Sequence, residues 1–148
     1  MLHPLQTSQD RTSEGGGWSL RRLRTVSDRE RPAATRPAFE PPADVYETPA
    51  EVVVRLEIAG LRSDQLNVVL SWDGAALTVA GHRPDPTAGS PRKYYSMEIQ
   101  CGEFSRRLAL PVPVKAEGAS AVYMDGFLQI TLPKDAGPRP RARNVPVA

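Results

Sequence analysis

Two Asp-Gly pairs, each set between runs of alternating apolar and polar residues, constrain the fold of this chain more than any other feature. Asp73-Gly74 separates "LNVVLSW" from "ALTVAG", and Asp125-Gly126 separates "ASAVYM" from "FLQITLPK". Asp-Gly suits the type I′ turn of a two-residue hairpin, in which both central residues take positive φ. Each pair therefore predicts an antiparallel β-hairpin.

The runs beside these turns, and "EVVVRLEI" at 51–58, carry apolar residues at every second position, as half-buried strands do. No segment before Lys134 has the pattern of a long helix. The short strands predict an all-β fold, an immunoglobulin-like antiparallel β-sandwich. The residues predicted to face its core are Val52, Val54, Leu56, Ile58, Leu66, Val68, Leu70, Trp72, Leu77, Val79, Leu128, Ile130 and Leu132.

Composition divides the 148 residues into three segments. Residues 1–38 hold seven arginines against four acids, a balance of +3, whereas residues 39–133 hold eight bases and twelve acids, a balance of −4. Residues 134–148 hold four bases and one acid, again +3, so that the total is the formal net charge of +2. We predict a flexible N-terminal arm over 1–38, the sandwich over 39–134 and a C-terminal tail over 135–148.

The arm contains one apolar island, "WSLRRLRTV", with Trp18, Leu20, Leu23 and Val26 among three arginines. Two interpretations stay open for this island. It forms a short transient helix, or it is an adhesive patch for a partner protein.

The connection between Gly81 and Glu103 is far longer than the 2–5 residues of an ordinary hairpin loop. It begins with the Pro-rich stretch "HRPDPTAGSPR" and then carries a strand-like pattern of its own, "KYYSMEI". A strand at the end of such an excursion can pair with the edge of another subunit. The residues of this predicted dimer strand are Tyr94, Tyr95, Met97, Glu98 and Ile99.

The tail ends in Val145, Pro146 and Val147, after a linker rich in proline and arginine. In an extended segment the two valines point the same way and present a pair of apolar side chains. At about 3.1 Å per residue the linker reaches roughly 34 Å. The pair is therefore predicted to dock on a neighbouring subunit.

The sequence contains few residues and no motifs that are typical of catalytic or metal-binding sites. The histidines are His3 and His82, the single cysteine is Cys101, and no nucleotide-binding, nucleophile-elbow or metal-spaced motif is present. Asp85, close to His82, suits a turn as well as a catalytic pair. We expect no enzyme activity, cofactor or metal.

The first residues lack the apolar core of a signal peptide and no run could span a bilayer, so we expect a cytoplasmic protein with no membrane partner.

The ordered set of segments resembles the small heat shock proteins, the Hsp20 or α-crystallin-domain family, from Phe39 to Lys134. The resemblance is strongest at 121–134, which matches the family pattern of Ala, three residues, Asn or Asp, Gly, any residue and Leu, followed by a strand ending Leu-Pro-Lys. The segments that carry it are "PPADVYET", "VVVRLEIAGLRSDQLNVVL", "LTVAGHR", "GEFSRRLALP" and "AVYMDGFLQITLPK".

The resemblance implies that the strand at 92–99 is exchanged between two subunits, and that the tail motif docks in a groove between the strands at 66–72 and 119–124. It also implies an ATP-independent chaperone, a holdase that binds partly unfolded client proteins under stress as a homodimer or a larger homo-oligomer. The residues expected to line the groove are Val68, Leu70, Ser120 and Val122. Clients are expected to bind to this groove and to the apolar island of the arm.

Two other functions are consistent with parts of the sequence. A nucleic-acid-binding role could use "LRRLR" and "RPRAR", but the sandwich is net acidic and lacks an aromatic sheet face for stacking bases. An adaptor of the related p23/CS sandwich type would lack the strand-bearing loop and the tail motif, both of which are present here.

Overall fold

The computed structural model describes residues 18–20, 24–26 and 39–137, and within them the chain forms two β-sheets packed face to face. No α-helix occurs in these ranges, and one 3₁₀ turn spans Ser63–Gln65. The predicted all-β sandwich is confirmed. Its strands are β1 (Trp18–Leu20), β2 (Arg24–Val26), β3 (Ala43–Glu47), β4 (Glu51–Glu57), β5 (Leu66–Ser71), β6 (Ala76–Arg83), β7 (Gly102–Ala109), β8 (Ser120–Met124) and β9 (Phe127–Pro133).

The first sheet has the strand order β1-β8-β9-β4-β3, and the second has the order β2-β5-β6-β7. All pairs between these strands are antiparallel except β2 with β5, which is parallel. Both predicted hairpins are present, since β5 pairs with β6 and β8 pairs with β9.

The alternating pattern places the core as predicted. Val52, Val54, Leu56 and Ile58 are buried between the sheets, while Arg55 and Glu57 point to solvent. Val53 is also buried, although it lies on the outer face of β4. Its cross-strand neighbours in that outer row are Tyr46 and Thr131, and side chains directly opposite each other lie close enough to cover a small valine.

The turn at Asp125-Gly126 has the predicted type I′ character, because φ is 53° at Asp125 and 82° at Gly126. The turn at Asp73-Gly74 differs, since only Gly74 has a positive φ and the connection runs over residues 72–75. Here the Asp73 carboxylate accepts hydrogen bonds from the Ser71 hydroxyl (2.6 Å) and the Ala75 N–H (3.1 Å). These bonds close the turn and lower the pKa of Asp73 below its ordinary value.

This wider turn also corrects one predicted core position. β5 ends at Ser71, so Trp72 leaves the strand and is 69% exposed instead of facing the core. Gly74 is required at the turn for a second reason, because a Cβ there would lie 2.1 Å from the Val114 carbonyl oxygen.

A tyrosine fastens the β8–β9 hairpin to the segment that leaves β4. The buried Tyr123 hydroxyl donates to the Ile58 carbonyl (3.2 Å) and accepts from the Leu61 N–H (3.4 Å). The Ile58 N–H donates to the Gly126 carbonyl (2.8 Å). The C-terminal end of β8 and the turn that follows it are therefore tied to the crossover between the two sheets.

Candidate functional site

The long connection of residues 84–101 between β6 and β7 is fastened at its base by Arg83. Its guanidinium donates to the Gln100 carbonyl, with an Nε–O distance of 2.7 Å, and lies 4.6 Å from the ring centre of Phe39. That ring in turn packs against Phe104, with 5.7 Å between ring centres. The two ends of the loop are thus held together over a core aromatic residue.

Inside the loop, Arg92 gathers several groups around one guanidinium. It forms an ion pair with Asp85, donates to the Thr87 carbonyl, and donates to the Tyr94 hydroxyl at 2.8 Å. Asp85 accepts from both the N–H (2.8 Å) and the hydroxyl (2.7 Å) of Thr87. The bonds from Thr87, and then the charge of Arg92, lower the pKa of Asp85 below its ordinary value. Asp85 is therefore a turn residue, and Arg92 orders the first half of the loop.

The outer half of the loop, residues 91–100, is exposed throughout and forms no strand within this chain. Tyr95 is 91% exposed, Ile99 79% and Met97 72%, whereas Tyr94 is partly shielded at 51%. The backbone of Tyr94–Ile99 thus has no strand partner in the single subunit described. Pairing with a second subunit, which the sequence predicts, stays a prediction.

The first sheet ends in β3, and no described strand pairs with the outer side of β3. The second sheet ends in β7, and there Phe39 forms an isolated bridge with Phe104, a residue of β7. Lys134, the last residue of the sandwich segment, forms an ion pair with Glu47 at the end of β3 (2.9 Å). Because its outer side is unpaired in the described chain, β3 offers a row of backbone donors and acceptors to an added strand.

The predicted groove residues do not share one surface. Val68 and Leu70 lie on the inner face of β5 and are buried, whereas Ser120 and Val122 lie on the outer face of β8 and are exposed. The β8 residues that face the core beside Val68 and Leu70 are Ala121 and Tyr123. Both alternating sets of β8 are partly apolar, so the pattern alone did not fix which set faces inward. The docking role of these residues stays a prediction.

The apolar island of the arm is placed against the two strands that were predicted to border the groove. Trp18 and Leu20 belong to β1, which pairs with β8, and Val26 belongs to β2, which pairs with β5. The island is therefore strand at these positions and not a helix. Leu23 lies outside the described residues, as do Val145, Pro146 and Val147 of the tail.

A surface that the sequence reasoning missed lies on the outer face of the β8–β9 hairpin. Val122, Met124 and Phe127 are exposed there, and the register places Met124 opposite Phe127. The Arg55 guanidinium lies over the Phe127 ring, 4.2 Å from its centre. The sequence feature that could have predicted this surface is the alternation along β8, in which Val122 and Met124 are apolar although Ala121 and Tyr123 face the core. A shallow recess of about 170 Å³ adjoins this surface, lined by Pro42, Ala43, Asp44, Arg55, Glu57 and Phe127.

His82 and Cys101 lie next to the two ends of the long loop. His82 Nδ1 lies 2.9 Å from a Glu103 carboxylate oxygen, with the His82 side chain 43% and the Glu103 side chain 67% exposed, and Cys101 is a free, half-buried thiol. Among the described residues no three His, Cys, Asp or Glu side chains are grouped as metal ligands would be. The same part of the chain contains no helix with the length and hydropathy needed to cross a membrane.

Known proteins similar to this chain are heat shock proteins. The 17.9 kDa class II heat shock protein of Glycine max is 31% identical, over 95% of this chain and 87% of that protein. The peroxisomal 16.0 kDa heat shock protein of Oryza sativa subsp. japonica is 35% identical, over 71% of this chain and 76% of that protein.

Solved structures similar to this chain are also those of heat shock proteins. A small heat-shock protein from Xylella fastidiosa superposes with a TM-score of 0.58 at 28% identity, covering 74% of this chain and 99% of that one. The hspA protein of Xanthomonas axonopodis superposes with a TM-score of 0.56 at 28% identity, covering 65% and 94%. The profile of the Hsp20/alpha crystallin family matches residues 44–148. This chain therefore belongs to the Hsp20/alpha crystallin family of small heat shock proteins.

Proposed function

We propose that this chain is an ATP-independent holdase, which binds partly unfolded proteins under stress and keeps them from aggregating. The observation that carries the proposal is the display of large apolar side chains on a folded, polar-surfaced sandwich. They lie on the outer face of β8 and β9, at Val122, Met124 and Phe127. Burying such side chains against a client that exposes its own core releases free energy without a nucleotide.

Membership of a chaperone family favours this role over catalysis, nucleic-acid binding and the p23-type adaptor role. The test is heat-induced aggregation of an unrelated client enzyme, followed by light scattering without ATP. We expect scattering to fall as the chain approaches equimolar amounts, whereas the same mass of serum albumin leaves it unchanged. Scattering that stays at the albumin level with an excess of the chain would overturn the holdase assignment.

The proposed unit of assembly is a dimer in which residues 92–99 of each subunit pair with β3 of the other. Two observations support it. The outer side of β3 is unpaired in the described chain, and the loop segment exposes alternating apolar side chains with no strand partner of its own. Adding a strand to a sheet edge supplies main-chain hydrogen bonds, while side chains on alternate positions supply burial.

Larger assemblies are proposed to form through Val145 and Val147, which would dock in the groove between β5 and β8 on a neighbouring subunit. The Xylella fastidiosa protein is described as having a distinct high order structure. A single pair of valines binds weakly, because burial worth at most ~3–6 kcal/mol is offset by ordering costs of ~1–2 kcal/mol per residue. Several tails within one assembly gain from high effective concentration.

The division into an arm (1–38), a sandwich (39–134) and a tail (135–148) is part of the same proposal, as is residence in the cytoplasm. One relative, from Oryza sativa subsp. japonica, is named as peroxisomal, so the compartment differs among similar proteins. Imaging of a fluorescent fusion of the full chain tests the cytoplasmic assignment, and an organellar signal would contradict it.

A further inference from the structure

The outer face of the first sheet carries an apolar surface next to a recess with charged walls. Val122, Met124 and Phe127 are exposed on this face, and we call these three residues the outer patch. The register sets Met124 opposite Phe127, and Phe127 in turn opposite Glu57 of β4. The outer patch is therefore continuous, across β9, with the recess that Glu57 and Phe127 help to line.

The recess is of a size to receive a single side chain. Its volume of about 170 Å³ is well below the roughly 300–1,000 Å³ of pockets that hold small-molecule ligands. Pro42, Ala43 and Phe127 give it apolar walls, and it also has carboxylates at Asp44 and Glu57. Lysine and arginine suit such walls, because they lay their methylene groups along apolar surface and keep the charged end in water.

The charges around this surface do not neutralise one another. Asp44 lies directly opposite Arg55 in the ladder of β3 and β4, but the Arg55 guanidinium lies over the Phe127 ring, 4.2 Å from its centre. Within the described part of the chain, neither Asp44 nor Glu57 forms an ion pair. Exposed Asp125 adds a further carboxylate at the tip of the β8–β9 hairpin. Three carboxylates and one guanidinium thus leave the surface with a net negative charge.

From this combination we propose that the outer patch and the recess together bind extended client segments in which lysine or arginine stands near an apolar residue. The cation enters the recess beside Asp44 and Glu57, while the apolar neighbour covers Val122 and Met124. Neighbouring strands lie about 4.8 Å apart, so β8 is roughly 10 Å from β4, a distance that an extended segment spans in about three residues. The inference rests on the proposed holdase function and adds the class of client that this surface selects.

The same charges disfavour a second copy of the chain as the occupant. Two outer patches set face to face would bring two negatively charged surfaces together, and like charges across an interface repel each other. The proposed dimer does not cover the surface either. A strand that pairs with the edge of β3 lies in the plane of the sheet, whereas the side chains of the outer face stand roughly perpendicular to it. The surface therefore stays open to a client.

The test measures the affinity of the full chain for two fluorescent peptides by anisotropy. Both peptides have the same length and the same leucines and serines, and they differ only in carrying lysine or glutamate at the charged positions. The charge variant of the chain is Asp44→Asn with Glu57→Gln, which keeps the shape of both side chains. The matched control is Asp135→Asn with Glu117→Gln, the same pair of changes at exposed positions outside the strands.

We expect the parent and the control to bind the lysine peptide about five- to tenfold more tightly than the glutamate peptide, since one exposed charge pair changes affinity by up to about fivefold. In the charge variant this ratio should fall to about twofold or less. Raising the salt from about 0.15 M to about 1 M shortens the screening length from about 8 Å to about 3 Å, and should lower the ratio of the parent in the same way. Val122→Ala with Met124→Ala should weaken the binding of both peptides and keep the ratio.

Equal affinity of the parent for the two peptides, including no binding to either, would overturn the inference. A ratio that persists in the charge variant would also overturn it, because the selectivity would then arise elsewhere on the chain. Tighter binding of the lysine peptide after Arg139→Gln, Arg141→Gln and Arg143→Gln would assign the surface to the tail of this chain instead of a client. Dissociation of the dimer by Val122→Ala with Met124→Ala would assign it to a second copy. Failure of the holdase proposal is seen separately, in the client scattering assay of the parent chain, and leaves the peptide ratio unaffected.

Discussion

Truncating the exposed apolar side chains of the loop should dissociate the proposed dimer. Met97 and Ile99 are 72% and 79% exposed in the single subunit, so most of their apolar surface is free to be buried by a partner. Full burial of either side chain stabilises by ~1.5–3 kcal/mol, and alanine retains only its first carbon, so each truncation removes roughly 1–2 kcal/mol.

A dimer made by exchange contains this segment twice. Met97→Ala with Ile99→Ala therefore costs the dimer about 4–8 kcal/mol in total, which raises its dissociation constant by a factor of roughly 10³ or more. Mass photometry and sedimentation velocity over a dilution series measure that constant directly. The melting temperature of the sandwich should change little, because neither side chain belongs to the core.

The matched control is Val122→Ala with Met124→Ala, which removes a similar apolar surface from the outer face of β8. We expect the control to keep the parent dissociation constant. A loop variant that dimerises as tightly as the parent would refute the exchange of residues 92–99. A control that dissociates as readily as the loop variant would place the dimer interface on the outer face of the first sheet instead.

Three further predictions concern the fold and the tail. Tyr123→Phe removes a buried hydroxyl with two backbone partners, so urea unfolding should show a loss of about 1–3 kcal/mol, while the exposed Tyr95→Phe should match the parent. Gly74→Ala should lower the melting temperature by several degrees, because its φ is 68° and its Cβ would meet the Val114 carbonyl; an unchanged melting temperature would mean that the turn relaxes freely. Val145→Ala with Val147→Ala should shift any species larger than a dimer toward dimers in light scattering, and an unchanged mass of a larger parent would count against tail docking.

Much of the sandwich could be predicted because its determinants are local. Alternation fixes which residues of β4, β6 and β9 are buried, and the type I′ turn at Asp125-Gly126 requires a residue pair that few sequences provide. The same reasoning missed the wider turn at Asp73, where a side-chain carboxylate and not the backbone conformation closes the chain. Trp72 was assigned to the core for that reason.

Features that depend on contacts between distant segments could not be predicted in the same way. The inward face of β8 is set by Tyr123, whose hydroxyl bonds to residues more than sixty positions away, and Val122 and Met124 look equally apolar in the sequence. The pairing of the arm with both sheet edges is also non-local. An apolar island among arginines predicts a binding segment, but its charge and spacing predict a client protein and the sandwich of the same chain equally well as the binding partner.

The tie between Tyr123 and Ile58 has a consequence for how this chain could be tuned. Because β8 is fastened to the crossover segment at Ile58 by bonds from both Tyr123 and the turn at Gly126, β8 does not depend on its pairing with β1 for its position. The free energy of separating β1 from β8 and the temperature at which the domain melts are then set by different residues. Substitutions in β1 should therefore change how readily that strand leaves the sheet while calorimetry records an unaltered transition.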